Sequence, residues 1–283
     1  MKHVFEKGFE MNKLTLVLAT QRSGSTLLCK DMIGLGGLGL PKEHFKRLFG
    51  EHKKAEAKGN PLPRSEKDIV DFLRENGCSD DNPDVAGVKL MVGQSPMLCN
   101  FLGLPTSKDK SVTMQSVIDW AYANFDAVNL VVIIRESVLD QCISRAVARS
   151  TSVYHHRDTK RMKDVDPYEG KELDLDALNQ MIIDLIPRVA KDNEVLHQIA
   201  KNNAGRALLV DYDYLAQHPN EAQQKLFDHA VANGFTPKKN QFDRILRKLI
   251  DKSKSQEIRA SFEKFASEGN HNRKVKKLLE TIK

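Results

Sequence analysis

Four short apolar runs punctuate the chain, at Leu14–Thr20, Val85–Met91, Leu130–Arg135 and Ala207–Asp211. Each is strand length, and the third is an uninterrupted β-branched block (Leu130–Ile134), as expected where a strand is covered on both faces. Segments with helical spacing separate the runs. After Arg135, for instance, Val138, Cys142, Ile143 and Val147 recur at core intervals. Strands alternating with helices predict an α/β fold, a parallel β-sheet flanked by helices on both faces. Val210–Leu215 (VDYDYL) reads as a strand running into a turn, with its tyrosines in packing roles. Two stretches break the rhythm. Glu51–Ser65 is polar, lysine-rich and proline-bounded, and reads as an exposed loop or lid base. Thr151–Lys171, dense in charge with His155, His156 and Arg157, reads either as a mobile excursion or as disorder. There is no internal repeat. The expectation is one domain over 1–283, with helical and loop excursions around 46–84 and 151–205 and a basic segment over 238–283.

The first run opens the most informative stretch, LTLVLATQRSGST (Leu14–Thr26). A strand, a tight small-residue loop and a helix N-terminus make an anion cradle, because the first helical amides lack intrahelical partners and the macrodipole is positive there. It is not the ATP-type loop G-x-x-x-x-G-K-[ST]: Gly24 is the one glycine, and Arg22 precedes it. Ser23, Ser25 and Thr26 are equally explained as helix caps. A second feature bears on that choice. Arg135 closes the third run and Ser144 follows in the next helix, and ligands of open α/β sheets bind beyond the carboxyl ends of the strands. An arginine there is also an ordinary surface ion-pair partner.

Together these residues resemble the bacterial carbohydrate sulfotransferases that use 3′-phosphoadenosine-5′-phosphosulfate (PAPS), of the type that includes trehalose 2-sulfotransferase. The segments that carry the resemblance are LVLATQRSGSTLL (Leu16–Leu28), GLPKEHF (Gly39–Phe45), GVKLMVGQSPML (Gly87–Leu98) and VVIIRESVLDQCIS with RAVARST (Val131–Thr151). Asp251–Phe262 is a weaker fifth. The resemblance implies a P-loop-like sulfotransferase fold and transfer of a sulfuryl group from PAPS, as co-substrate, to a carbohydrate or glycolipid hydroxyl. It implies that Gln21, Arg22, Ser23, Gly24, Ser25 and Thr26 hold the 5′-phosphosulfate, with Arg22 also catalytic, and that Arg135 and Ser144 hold the 3′-phosphate. Glu43 falls where the trehalose enzyme's proposed general base lies, and Lys89, Gln94 and His44 are substrate-side candidates. A homodimer is a family expectation.

Chemistry supports the assignment independently. Sulfuryl transfer, like phosphoryl transfer, asks for in-line alignment and stabilisation of charge on the leaving phosphate. Arginine can supply that charge, so the scheme needs no metal, and the sequence has no clear metal-ligand cluster. A base assists the acceptor hydroxyl. On local pattern alone Glu43 is a helix N-terminal carboxylate after Pro41, and its rival His44 would point about 100° away on a helix. Leu40 stands where the trehalose enzyme has an acidic residue, and Ile258 where it has tryptophan, which argues against trehalose itself.

Composition narrows the classes. Cys29, Cys78, Cys99 and Cys142 show no CxxC spacing and are expected to be reduced. No run reaches the roughly 18 apolar residues of a membrane span, and the first apolar run is the cradle strand itself, so neither a transmembrane segment nor a signal peptide is expected and the reading is cytoplasmic. Met11 is an alternative start. Net charge is +6, concentrated after Pro237. That excess is a solvated basic face or a rim that steers the anionic donor, with Lys252 and Lys254 in reach of the 3′-phosphate. Nucleic acid is disfavoured by the lack of interleaved aromatics. Two alternatives stand beside the sulfotransferase: an ATP-dependent P-loop kinase-like enzyme, which lacks its lysine here, and a non-catalytic nucleotide-binding adaptor.

Overall fold

A computed structural model describes residues 11–59, 65–80, 82–152, 173–244 and 252–268 and, of residues 252 and 253, the backbone alone. In chain order the elements are β1 (Lys13–Ala19), α1 (Ser25–Leu35), α2 (Phe45–Glu56), α3 (Glu66–Gly77), β2 (Val85–Met91), a 3₁₀ turn (Val92–Gln94), α4 (Ser95–Leu102), α5 (Lys110–Asn124), β3 (Ala127–Ile134), α6 (Val138–Thr151), α7 (Leu175–Asn202), β4 (Ala207–Asp211), α8 (Tyr212–Gln217), α9 (Pro219–Ala232) and α10 (Lys252–Glu268).

The four apolar runs are the four strands, all parallel, in the order β2-β1-β3-β4. Leu16 is the register hinge of the centre, opposite Val88 on one side and Leu130 on the other. Alternate side chains serve opposite faces, as the pleat demands. Leu14, Leu16, Leu18, Val88, Leu90, Leu130 and Val132 pack with Phe45, Ile69, Leu98 and Ile118 from α2 to α5. Val17, Ala19, Val131, Ile133 and Val210 pack with Leu28 and Met32 of α1 and with Leu215 and Leu226 of α8 and α9. Helices thus cover both faces, which is why the strands read as continuous apolar runs.

The chain forms two compact units. One comprises the chain up to Thr20, Gly24–Ile134 and Val195–Phe242, and contains the sheet. The other comprises Gln21–Ser23, Arg135–Glu194 and the chain from Asp243 on. Its own core joins α6, the first part of α7 and α10 through Leu139, Ile143, Ile182, Ile186, Ile258 and Phe262.

Several expectations are corrected. Glu51–Glu56 is the second half of α2, not loop, because Phe45, Leu48 and Phe49 bury one stripe and carry a polar face through the lysines. The helix also starts later than Pro41: Lys42 bridges Val88 as an extended residue, so Glu43 precedes the helix. The segment after β4 turns directly into α8, with Asp211 accepting from the Tyr214 amide at 2.8 Å as its cap. Met1–Glu10, His155, His156, Arg157 and the Lys252 side chain lie outside the described residues.

Candidate active site

The loop after β1 carries two residues in the left-handed region, Arg22 (φ 66°) and Gly24 (φ 81°). For Arg22 this conformation costs about 1 kcal/mol. At Gly24 no side chain is possible, since a Cβ would collide with the Tyr212 ring laid against it. Gly24 occupies the N-cap of α1, and the helix has neither a side-chain cap nor an acidic residue in its first turn. Ser25 and Thr26 already lie inside the helix. Of the two roles open to these hydroxyls in the sequence, capping is therefore the one the geometry withholds. The first amides of α1 keep the positive potential that favours an anion.

In the sheet-bearing unit, a carboxylate cluster is assembled by close backbone approach. Gly39 and Gly87 face each other; a Cβ on Gly39 would strike the Gly87 amide, and one on Gly87 would strike the backbone of Leu40 and Pro41. The bare contact lets residues 39–42 lie against β2, where the Lys89 amide donates to the Lys42 carbonyl at 2.9 Å. Glu43 is thereby delivered to Lys89, whose Nζ stands 3.8 Å from Oε2, and to Gln94, whose Nε2 donates to Oε1 at 3.1 Å. Gln94 is itself oriented, because its Oε1 accepts the Met91 amide at 3.0 Å. Lys89 is 7% exposed, and a buried ammonium is tolerated only with a counter-charge. His44 is committed elsewhere: its Nε2 hydrogen-bonds the Leu40 carbonyl at 2.8 Å. Burial depresses its pKa below the usual histidine value. Cys29, near both Lys89 and Glu43, is pushed up to about 12 by burial and stays a thiol at neutral pH.

In the other unit the candidate charged residues include two arginines, Arg22 and Arg135. Arg22 Nε donates to Ser144 Oγ at 3.0 Å. Gln141, fully buried in α6, donates to the Gln21 carbonyl at 2.7 Å and accepts from Asn193 at 3.0 Å. Asn193 also donates to the Arg135 carbonyl at 3.1 Å, so one buried amide pair ties the loop, the start of α6 and α7. Arg135 and Arg259 share Asp140, at 4.0 and 2.6 Å. Burial pushes Asp140 up, but hydrogen bonds from Arg259 and Ser137 and the charges of Arg259 and Arg135 outweigh it, holding the carboxyl below the usual range.

The sequence candidates therefore gather into two groups. Glu43, Lys89 and Gln94 meet in one unit, with His44 beside them but turned to Leu40. Arg22 meets Ser144 in the other, and Arg135 meets Asp140. Lys254 lies half-buried in α10. Gln141, Asn193, Asp140 and Arg259 were not picked out by sequence reasoning as site residues. Buried amides and a carboxylate on helix faces carry no motif, although Arg259 sits in the Asp251–Phe262 segment. Among the described residues, no helix is long and apolar enough to cross a membrane and no three side chains are grouped to hold a metal.

Comparison with curated proteins gives no match. A family model described as Stf0 sulphotransferase matches residues 15–262, which takes in the loop, Glu43, Lys89, Arg135, Ser144 and Arg259. With that span, and with the parallel sheet and its loop after β1, the chain belongs to the Stf0 sulphotransferase family and is a sulfotransferase by fold.

Proposed function

We propose that this sulfotransferase takes the sulfuryl group from PAPS and passes it to a hydroxyl of a carbohydrate or glycolipid. The observation that carries the reading is Glu43, a partly exposed carboxylate held by Gln94 and by a buried lysine. Glu43 accepts the acceptor's hydroxyl proton as the acceptor oxygen bonds to sulfur. The bond from sulfur to the 5′-phosphate oxygen breaks, and that oxygen keeps the electron pair. Arg22, the amides at the start of α1 and the Ser25 and Thr26 hydroxyls balance the charge gathering on the leaving phosphate. Arg135 and Ser144 take the 3′-phosphate, the group that separates this donor from ADP and ATP. Ser144 is also bonded to Arg22, so the two donor phosphates draw on one connected set of side chains.

The test is calorimetric titration with 3′-phosphoadenosine 5′-phosphate, ADP and ATP in the absence of metal, followed by turnover with labelled PAPS and a panel of sugars. Tight binding of the 3′-phosphorylated nucleotide alone, with label transferred to a sugar hydroxyl, is the expected result. Equal binding of all three nucleotides overturns the donor assignment. Donor-product binding without any transfer favours the adaptor reading.

A further inference from the structure

Arg145 has no role in the scheme above, and its surroundings are costly for it. It lies in α6, 6% exposed, and its Nε is buried with no hydrogen-bond partner. An arginine cannot shed its proton at ordinary pH, so a guanidinium with a buried, unbonded Nε bears a desolvation cost it cannot escape. Its neighbours make matters worse. Arg149 follows one turn later on the same helix, and Arg188 approaches from α7. The Asn193–Gln141 bond fixes this pairing of helices, one turn before Arg145 on α6 and five residues after Arg188 on α7. Asp192 alone opposes the three positive charges at close range among these residues, and it is shared with Arg188 at 4.0 Å. Burial and the like charges of Arg149 and Arg188 pull the Arg145 pKa below its ordinary value.

The cluster also has an entrance. Arg149 and Arg188 are exposed while Arg145 is buried, so an anion arriving from solvent meets two exposed guanidinium groups and then a buried one. Such a gradient suits a planar or tetrahedral oxyanion, which a guanidinium grips through paired N–H donors. Along α6, Arg145 is two turns past Val138, about 10 Å from the helix start that carries the Arg135–Asp140–Arg259 contacts. Ser144, assigned to the 3′-phosphate, directly precedes Arg145, but successive residues of a helix point about 100° apart, so the two side chains serve different faces of α6.

We infer that Arg145, Arg149 and Arg188 receive an anionic group of the acceptor, so that the molecule sulfated already bears a carboxylate, phosphate or sulfate. The inference rests on the acceptor-hydroxyl reading given above and narrows its substrate class. The same cluster could instead take a phosphate of the donor, and the experiment separates the two sources.

Inorganic sulfate, glucose and glucose 6-phosphate are titrated calorimetrically at constant ionic strength into the full-length protein, with and without saturating 3′-phosphoadenosine 5′-phosphate. The native protein is compared with the Arg149→Gln/Arg188→Gln double variant and with Arg145→Leu. With the nucleotide bound, sulfate should bind the native protein at least tenfold tighter than it binds the double variant. Glucose 6-phosphate should exceed glucose by at least tenfold in the native protein only. Arg145→Leu should lose the anion response and melt no lower than native, because it removes a buried charge that faces two like charges and whose Nε has no hydrogen-bond partner; a residue serving the fold alone would lower the melting point. Equal sulfate binding by native protein and double variant overturns the site. A response that vanishes once the nucleotide is bound, or no preference for glucose 6-phosphate, overturns the acceptor assignment. Failure of the nucleotide itself to bind overturns the donor reading instead, and leaves the sulfate titration readable.

Discussion

The two charged clusters are built in opposite ways. Around Glu43 the backbone does the placing: Gly39 and Gly87 remove two side chains so that one strand edge and one loop can touch, and Glu43 needs only to extend to Lys89 and Gln94. Around Arg22 and Arg135 long side chains do the placing, tied back by Ser144, Asp140 and the buried Gln141–Asn193 pair. The first arrangement balances one carboxylate against one buried ammonium, and leaves the carboxylate partly exposed to take up a proton. The second sets Arg135 and Arg259 on Asp140 and Arg22 on Ser144, a set rich in guanidinium groups, which suits holding an anion. On the roles proposed for these residues, a difference in construction follows a difference in task.

The largest effect expected is on turnover. Glu43→Gln keeps the shape and removes the base, and should lower the rate of label transfer by about 10²–10⁴-fold. It also leaves Lys89 buried without its counter-charge, so some stability goes with it. Affinity for 3′-phosphoadenosine 5′-phosphate, measured on the same sample, should hold within a few-fold; its loss would remove Glu43 from the role of base. Arg135→Ala is the matched break in the other cluster. It should cost the preference for the 3′-phosphorylated nucleotide over ADP about 10-fold to 100-fold, in keeping with one charged hydrogen-bonding partner. An unchanged preference would take Arg135 out of the site.

Next comes the backbone contact. Gly87→Ala places a methyl group against the Leu40 and Pro41 amides, which are main chain and cannot swing away. Denaturant melts should show a loss of about 3 kcal/mol, the scale of an overpacked core. Turnover should fall further than donor-product binding, because the displaced segment carries Glu43. A variant as stable and active as the native protein would mean that the close approach does not position the acid.

Much of this was legible in the chain and some was not, for physical reasons. Three strands were, because burial on two faces leaves an unmistakable apolar run; Val85–Met91 coincides residue for residue with the element observed, and so does the edge strand Ala207–Asp211, which reads as apolar although only Val210 of it is buried. So was the proximity of candidates within single motifs. The start of α2 was not, since Pro41 mimics a helix opening while the Lys42–Val88 bridge, a tertiary contact, holds the segment extended. Nor was the turn of Glu51–Glu56 into helix, where a buried stripe of three residues outweighs a lysine-rich polar face. Gln141, Asn193 and Asp140 were hidden because their meaning lies in partners 50 to 120 residues away. Arg145 was hidden for the opposite reason: it becomes informative through the hydrogen bond its buried Nε lacks.

A smaller effect should follow from Asp140→Asn. The carboxylate anchors α10 through Arg259 at 2.6 Å and faces Arg135 at 4.0 Å, both partly shielded from solvent. Loss of the charge should lower stability at pH 7 by about 1–2 kcal/mol, the range of a charge-assisted hydrogen bond. Because the folded carboxyl is held below its ordinary value, the stability it adds is complete above the unfolded pKa near 4 and disappears as pH falls through the lower folded one. Native and variant stabilities should therefore converge on going from pH 7 to pH 3. A constant difference across that range would show that the Asn variant fails for reasons of packing, not charge.

The smallest effect contrasts the two units by pH. In the sheet-bearing unit, burial lowers the pKa of both His44 and His229, whose Nε2 atoms hydrogen-bond the Leu40 and Leu130 carbonyls at 2.8 and 3.1 Å. The unfolded chain takes up these protons near pH 6.5, while the folded chain does so only at lower pH. Between the two values the unfolded state binds more protons, so stability must fall as pH drops from 7.5 towards 5.5, and it is fully present only above about 6.5. The denaturant midpoint should follow that slope, and His229→Gln should flatten it. His44→Gln should flatten it as well, and the same variant distinguishes structure from chemistry at the site. If His44 only braces the segment that carries Glu43, its loss changes turnover by a few-fold and leaves Glu43→Gln the far worse variant. If His44→Gln instead matches Glu43→Gln in turnover, the proton leaves through the imidazole, and the carboxylate beside it serves to pair Lys89.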